Sequence, residues 1–376
     1  MKNNDVKNKY IACMILHALG DTIGYKNSEW EFMDVTKLYT NPIYLKPEQF
    51  IHLGGITQIS LKDWIVSDDT ILHIQTAKGL LDNFKSINSL CEKLSEYYIK
   101  ALEQFEKEGY ELRMPGNTTI RNIKKLRDGT KWDQIPYNFG DGGSGASMRN
   151  LCIGLAYYGK NNRDKLIQVS IESSRITHNS ATGYLGGFAS ALFVALAVEK
   201  VPIQEWMFHL LDSMDKVKKY IESVGRDFKE YSTDSHTFIK KIKRYVEIKF
   251  NYKREVIKRR TDDSITFRID TYQSEFASLI RIDGKLKKKT FIGSGGDDSI
   301  IIAYDSLLDA GNNWEKLIYY AMLHIGDTDT TGCIAGGLYG ILYGFENVPQ
   351  RLLEYLEYKK ELESIGVKLF EKYYKS

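Results

Sequence analysis

The sequence predicts an all-α fold in one domain, and three observations carry that expectation. Apolar residues recur at helical spacing through most of the chain from Tyr10 to Tyr374. Period-2 alternation is confined to short pieces between residues 265 and 292, such as residues 264–269. Gly332, Gly336, Gly340 and Gly344 fall four apart along an apolar run and so line one helix face. Glycine inside a helix costs about 1 kcal/mol against alanine. Four of them imply a neighbouring helix that approaches closely and a rigid scaffold behind Asp327 and Asp329.

Taken in order, residues 9–20 are apolar on nearly all sides and read as a buried first helix ending near Gly20 and Asp21. A loop containing Trp30, Glu31 and Phe32 follows. Helices are expected over 71–80, 87–104, 148–158, 166–176, 184–198 and 300–310, and one or two more close the chain over 351–374. Pro115 and Gly116 supply turn chemistry before another helix. Residues 200–290 are charged, rich in Lys and Tyr and poor in Gly, and form a variable segment within a domain spanning 1–376.

Composition narrows the function classes. A hydrophobic content of 43 % is ample for a core, and a formal net charge of +3 gives no global field that would select nucleic acid. The basic run over 240–260 is interleaved with acids and reads as a solvated face. Cys13, Cys91, Cys152 and Cys333 lie far apart without a CxxC, which points to a reducing, cytoplasmic setting and no disulfide frame. The first nine residues are polar, so no secretory signal is expected. Residues 181–198 carry no charge and are long enough for a membrane span. Gly183, Gly186, Gly187 and Ser190, with no aromatic-basic belt, make this a buried helix instead. The expected state is a monomer without membrane or nucleic-acid partners.

Two stretches carry the chemistry. Ser67-Asp68-Asp69-Thr70 and Gly326-Asp327-Thr328-Asp329-Thr330-Thr331-Gly332 each place two carboxylates and hydroxyls just before an apolar helical run. Such residues cap helices, since a hydroxyl or carboxylate accepts first-turn N–H groups. Oxygen-only clusters also suit a hard divalent cation, and a helix start can serve both ends. One Mg²⁺ takes only one or two carboxylates, so four fit two ions. Neither cluster has His or Cys at zinc-ligand spacing; His73 and His324 read as core residues. Small-residue loops at 115–118, 141–146 and 293–296 precede helices and can bring backbone N–H groups to phosphate oxygens. None is a Walker A loop or a GxGxxG after a strand.

Together these residues resemble the ADP-ribosylglycohydrolases, most like the ADP-ribosylarginine hydrolases among them. The likeness runs in order through residues 10–21, 30–32, 66–70 and 142–149. It continues through 152–155, 174–178, 182–186, 302–305 and 324–330. It implies a single-domain orthogonal helical bundle with a dinuclear metal site. It also implies two Mg²⁺ ions, with Mn²⁺ an option, held by Ser67, Asp68, Asp69, Asp327, Asp329 and Thr330. The implied reaction is hydrolysis of the N-glycosidic bond between ADP-ribose and protein arginine, so ADP-ribosylated proteins are the partners and ADP-ribose the product. Asp68, Asp69 and Glu31 are the candidate catalytic carboxylates: one takes a proton from water, and an acid protonates the departing guanidine. Gly116, Thr118, Gly143, Ser144, Gly145, Ser147 and His178 would line the ADP-ribose, with Gly293 and Ser294. In the family, aromatic residues before the second glycine loop often hold the adenosine; here residues 285–290 have none, and Phe291 is the nearest candidate. Hydrolysis of serine-linked or O-acyl ADP-ribose, a catalytically silent ADP-ribose-binding relative and a two-metal phosphohydrolase that releases AMP are the alternatives.

Overall fold

The computed structural model describes residues 3–32, 44–282, 285–289 and 291–375. It is helical almost throughout, and its one two-stranded sheet among the described residues is the antiparallel pair Leu279–Ile282 with Lys285–Lys288. The all-α expectation is therefore met. The strand-like alternation at 264–269 does not become a strand: Ile265–Thr271 is a helix, whose Ser264 cap accepts the Phe267 N–H at 3.3 Å. Six alternating residues match a strand and a single helical turn equally well, and the cap decides for the helix.

Two helices form the spine. The first, Asn3–Tyr25, runs past its expected end, and the other is Thr328–Tyr343. Gly20 and Gly24 do not stop the first helix because they face the second. A Cβ on either would lie 2.1 Å from a backbone oxygen, that of Gly332 or Thr328. Reciprocally, a Cβ on Gly336 would lie 2.1 Å from the Leu16 oxygen and one on Gly340 2.4 Å from that of Ala12. The glycine stripe is thus two-sided, with backbone against backbone. Gly344 is not part of it; it ends the helix at φ +66 with open space around it. Gly344→Ala should therefore cost only the penalty of a backbone conformation that suits glycine (φ +66, ψ −136), about 1–3 kcal/mol, measurable as a fall in the urea midpoint.

The apolar helix Ala181–Val198 meets the length and composition of a membrane span, but 89 % of its window is buried inside the protein, as expected of a core helix. It packs on Arg163–Arg175, Leu151–Ala156 and Phe228–Lys249. The charged segment after residue 200 forms two long amphipathic helices, Trp206–Val224 and Phe228–Lys249. Their charges are mostly solvated, with two exceptions. Lys241 and Lys249 are buried and paired, Lys241 with Asp297 and Lys249 with Asp305 and Asp309 at 2.9 and 2.7 Å. All four cysteines are free and buried.

Candidate active site

Asp68 and Asp69 open the helix Asp68–Leu81, and Ser67 is its N-cap: its Oγ accepts the Asp69 N–H at 3.2 Å. The whole turn rests on a residue that sequence reasoning passed over. Asp21, on the first helix, accepts the Ser67 N–H at 3.0 and 3.1 Å, the Thr70 N–H at 3.1 Å and the Thr70 hydroxyl. Across the cleft Asp327 caps Thr328–Tyr343, accepting the Thr330 N–H at 3.3 Å, while Asp329 accepts the same N–H at 2.9 Å. Each cluster therefore caps its helix, and its acidic side chains also line one shared cleft.

The two later glycine loops, far apart in sequence, are joined. Gly143 and Gly295 form an antiparallel bridge. The Gly296 N–H donates to the Gly142 carbonyl at 3.0 Å, and the Ser144 N–H to that of Ser294 at 3.2 Å. His178 lies against this pair; a Cβ on Gly145 would fall 2.4 Å from its Cε1. Burial first, then Arg149, holds the His178 imidazole well below its usual range, so it is neutral.

Glu31 is not the exposed loop charge its position suggests. The Phe32 N–H donates to the Gly326 carbonyl at 3.2 Å. The Thr328 hydroxyl lies 3.2 Å from the Trp30 carbonyl, and the Trp30 indole N–H donates to Gln49 at 2.7 Å. This clasp sets the Glu31 carboxylate beside the 326–330 loop, where one oxygen each from Glu31, Asp327 and Asp329 lie within 4.8 Å of one another. Behind them the fully buried Lys46 donates to the His324 carbonyl at 2.5 Å and approaches the Thr328 hydroxyl at 3.3 Å.

Of the residues expected at the site, Glu31, Asp68, Asp69, Gly116, Thr118, Gly143, Ser144, Gly145, His178, Ser294, Asp327, Asp329 and Thr330 line the cleft. Four do not reach its wall. Ser67 is fully buried behind it as a cap. Ser147 is buried, and its Oγ lies 2.5 Å from where a Cβ on Gly186 would be. Gly293 is a turn residue at φ +85. Phe291 packs its ring on Phe32, centroids 5.2 Å apart, and it is Phe32 that borders the cleft. Met114, Asn117, Thr119 and Met148 also line it and were not anticipated. Phe32 had a signal in the Trp-Glu-Phe triplet; the other four had none beyond adjacency to a glycine loop.

Electrostatics set the site's character. Burial first, then the charge of Asp329, pushes Glu31, Asp68 and Asp69 well above the usual carboxylate range. Burial and Asp327 do the same to Asp329, and burial raises Asp327 to about 6. Asp21 rises to about 7 through burial and Asp329. Burial lowers Lys46 to about 7. So many carboxylates in one buried cleft repel one another, and the Glu31 Oε2 is buried without a hydrogen-bond partner. Both features fit a hard divalent cation, which supplies positive charge to an all-oxygen donor set.

His73 and His324 are core residues, as read. The His324 Nδ1 accepts the Gly326 N–H at 3.0 Å, and its Nε2 meets Thr331 at 2.8 Å. His73 stacks on His17 at 4.0 Å, and the two rings hold the carbonyls of Arg149 and Met148 at 2.9 and 2.7 Å. Burial lowers His73 to about 4. In the unfolded chain it titrates near 6.5, so between those values the unfolded state binds more protons, and stability falls as pH drops through that window. The full loss is about 3 kcal/mol. The raised carboxylates act in the opposite direction, so the check is a difference. Between pH 7 and 5 the urea midpoint of His73→Gln should fall less than that of the parent.

A mainly helical scaffold that gathers buried carboxylates from two helix starts opposite joined glycine loops has the class of donor set that suits a hard cation, beside loops of the kind that approach phosphate oxygens. Comparison with known proteins gives the class its family. Residues 2–376 match the model of the ADP-ribosylglycohydrolase family, and the chain belongs to that family. It is 34 % identical to ADP-ribosylhydrolase ARH1 of Dictyostelium discoideum over 94 % of this chain and 91 % of that one. It is 23 % identical to ADP-ribosylhydrolase ARH3 of Homo sapiens over 98 % and 94 %. Among solved structures, an "ADP-ribosylglycohydrolase-related protein complex" aligns at a TM-score of 0.57 and 16 % identity, covering 98 % of this chain and 99 % of that one, a likeness of fold.

Proposed function

We propose that this protein hydrolyses the N-glycosidic bond between ADP-ribose and protein arginine, releasing ADP-ribose and reversing mono-ADP-ribosylation. The observation that carries the reading is the single cleft in which Glu31, Asp68, Asp69, Asp327 and Asp329 face the Gly143–Gly295 bridge. The 34 % identity to a relative named ADP-ribosylhydrolase ARH1 supports ADP-ribosyl hydrolysis, and the choice of arginine rests on the resemblance of the Trp30-Glu31 context to the ADP-ribosylarginine hydrolases.

Asp68, Asp69, Asp327, Asp329 and Thr330, which line the cleft, are the residues that would hold two Mg²⁺ or Mn²⁺ ions, with Ser67 holding the turn behind them. When bound, such ions supply Lewis-acid charge and lower the pKa of a coordinated water. The chain's own residues do the rest. Gly116, Thr118 and the 143–145 loop border the nucleotide, and neutral His178 closes that end without adding charge. Asp68, Asp69 or Glu31 takes the proton from the attacking water. An acid must also protonate the departing guanidine, and burial and Asp329 push Glu31 in the direction that suits that step. Glu31, held over the site by the Trp30–Thr328 and Phe32–Gly326 contacts, is placed for either step.

The product tests this reading against a pyrophosphatase. Arginine-modified protein incubated with the enzyme and Mg²⁺ should yield free ADP-ribose and unmodified arginine by mass spectrometry, and none with EDTA. AMP as the product would overturn it. Mg²⁺ at a hundredfold excess over its Kd should also stabilise the fold by about 2.7 kcal/mol, seen as a rise in Tm. Hydrolysis of another ADP-ribose linkage, such as that to serine, is the second reading, since the chain is also similar along nearly its whole length to a second ADP-ribosylhydrolase, ARH3.

A further inference from the structure

We propose that Lys289, at the end of the hairpin strand Lys285–Lys288, is the counter-charge for the diphosphate of the nucleotide substrate. The inference rests on the ADP-ribose reading above. The cleft is lined by five carboxylates and, among the described residues, by no lysine or arginine. Beyond the divalent ions that the carboxylates would hold, the cleft's own side chains offer a diphosphate no positive charge, and His178 is neutral. The glycine loops are poorer in free donors than their composition suggests. The Ser144 N–H is committed to the Ser294 carbonyl at 3.2 Å, and the Gly296 N–H to that of Gly142 at 3.0 Å. The Gly295 N–H is committed to Asp298 at 2.8 Å. Part of the phosphate cradle is therefore used up in holding the two loops together.

A cation must come from nearby. Arg121 is paired with Asp141, and Lys241 with Asp297. Lys289 is half-buried, and its Nζ donates to the Ser294 carbonyl at 2.7 Å, on a residue that borders the cleft. No carboxylate of the described residues forms an ion pair with it. The Ser294 carbonyl keeps the Ser144 N–H if the lysine leaves, so a swing of the ammonium from carbonyl to phosphate strands no buried acceptor. Its charge already reaches the site, where it is one of the cations that depress His178, after burial and Arg149. A flexible point charge on a long stem suits a diphosphate held mainly by backbone groups.

The test is calorimetric titration of ADP-ribose, and separately of adenosine, into Mg²⁺-loaded parent, Lys289→Gln, Lys289→Arg and Lys285→Gln proteins at low and high NaCl. Lys289→Gln should weaken ADP-ribose binding about tenfold at low salt, as loss of a charge-assisted hydrogen bond does. It should also flatten the salt dependence and leave adenosine unchanged. Lys289→Arg and the exposed Lys285→Gln should stay close to the parent. Equal ADP-ribose affinity in parent and Lys289→Gln overturns the inference, as does an equal loss for adenosine, which would mean the lysine merely shapes the hairpin. Failure of the parent itself to bind ADP-ribose brings down the functional reading instead, and this inference with it.

Discussion

Asp329→Asn should abolish turnover while leaving the metal-free protein at least as stable as the parent. Asp329 is the charge through which Glu31, Asp68 and Asp69 are pushed upward after burial, and it is itself pushed up by burial and Asp327. An amide of the same shape removes that repulsion and keeps the hydrogen bond from the Thr330 N–H. The same change removes a carboxylate that a hard cation needs. Loss of metal-borne charge stabilisation is worth several kcal/mol, so activity should fall on the order of a thousandfold or more. Tm in EDTA should be equal or higher, while the rise in Tm produced by Mg²⁺ should shrink. Normal activity in Asp329→Asn would remove Asp329 from the ligand set.

Gly336→Ala has the largest expected effect on folding. The added methyl would sit 2.1 Å from the Leu16 backbone oxygen, where no side chain can yield. Overpacking typically costs about 1–3 kcal/mol and more where backbone must move, as it must here, whereas a Cβ at Gly344 meets nothing within 4 Å. The two helices forced apart carry Asp21 at one side of the site and Asp327, Asp329 and Thr330 at the other. The variant should therefore lose metal affinity along with stability, which a cavity elsewhere in the core would not cause. Denaturation and Mg²⁺ titration of the two glycine variants side by side separate these effects.

Much of this was legible in the sequence because its signals are local. Two acidic, hydroxyl-rich helix starts announce themselves in four to seven residues, and the glycine period exposes the tight helix pair. What the sequence did not reveal is non-local. Asp21 is a lone acid after Gly20 in an apolar helix, and its partners lie about fifty residues away at Ser67 and Thr70. Glu31 gains its place from contacts with Gly326 and Thr328, about three hundred residues on. The joining of the 142–144 and 294–296 loops is likewise a long-range pairing, and it turns two ambiguous turns into one wall of the site. Phe291 was taken from its nearness to the glycine loop, but backbone position alone does not say which of two neighbouring rings faces the cleft.

The central claim is that these carboxylates serve metal-dependent cleavage of the arginine linkage. Its most direct test is ADP-ribose release from arginine-modified and serine-modified proteins assayed in parallel, each with Mg²⁺ and with EDTA. The account predicts release from arginine alone, and only with Mg²⁺. Release from serine in place of arginine, or release from arginine undiminished by EDTA, would contradict it.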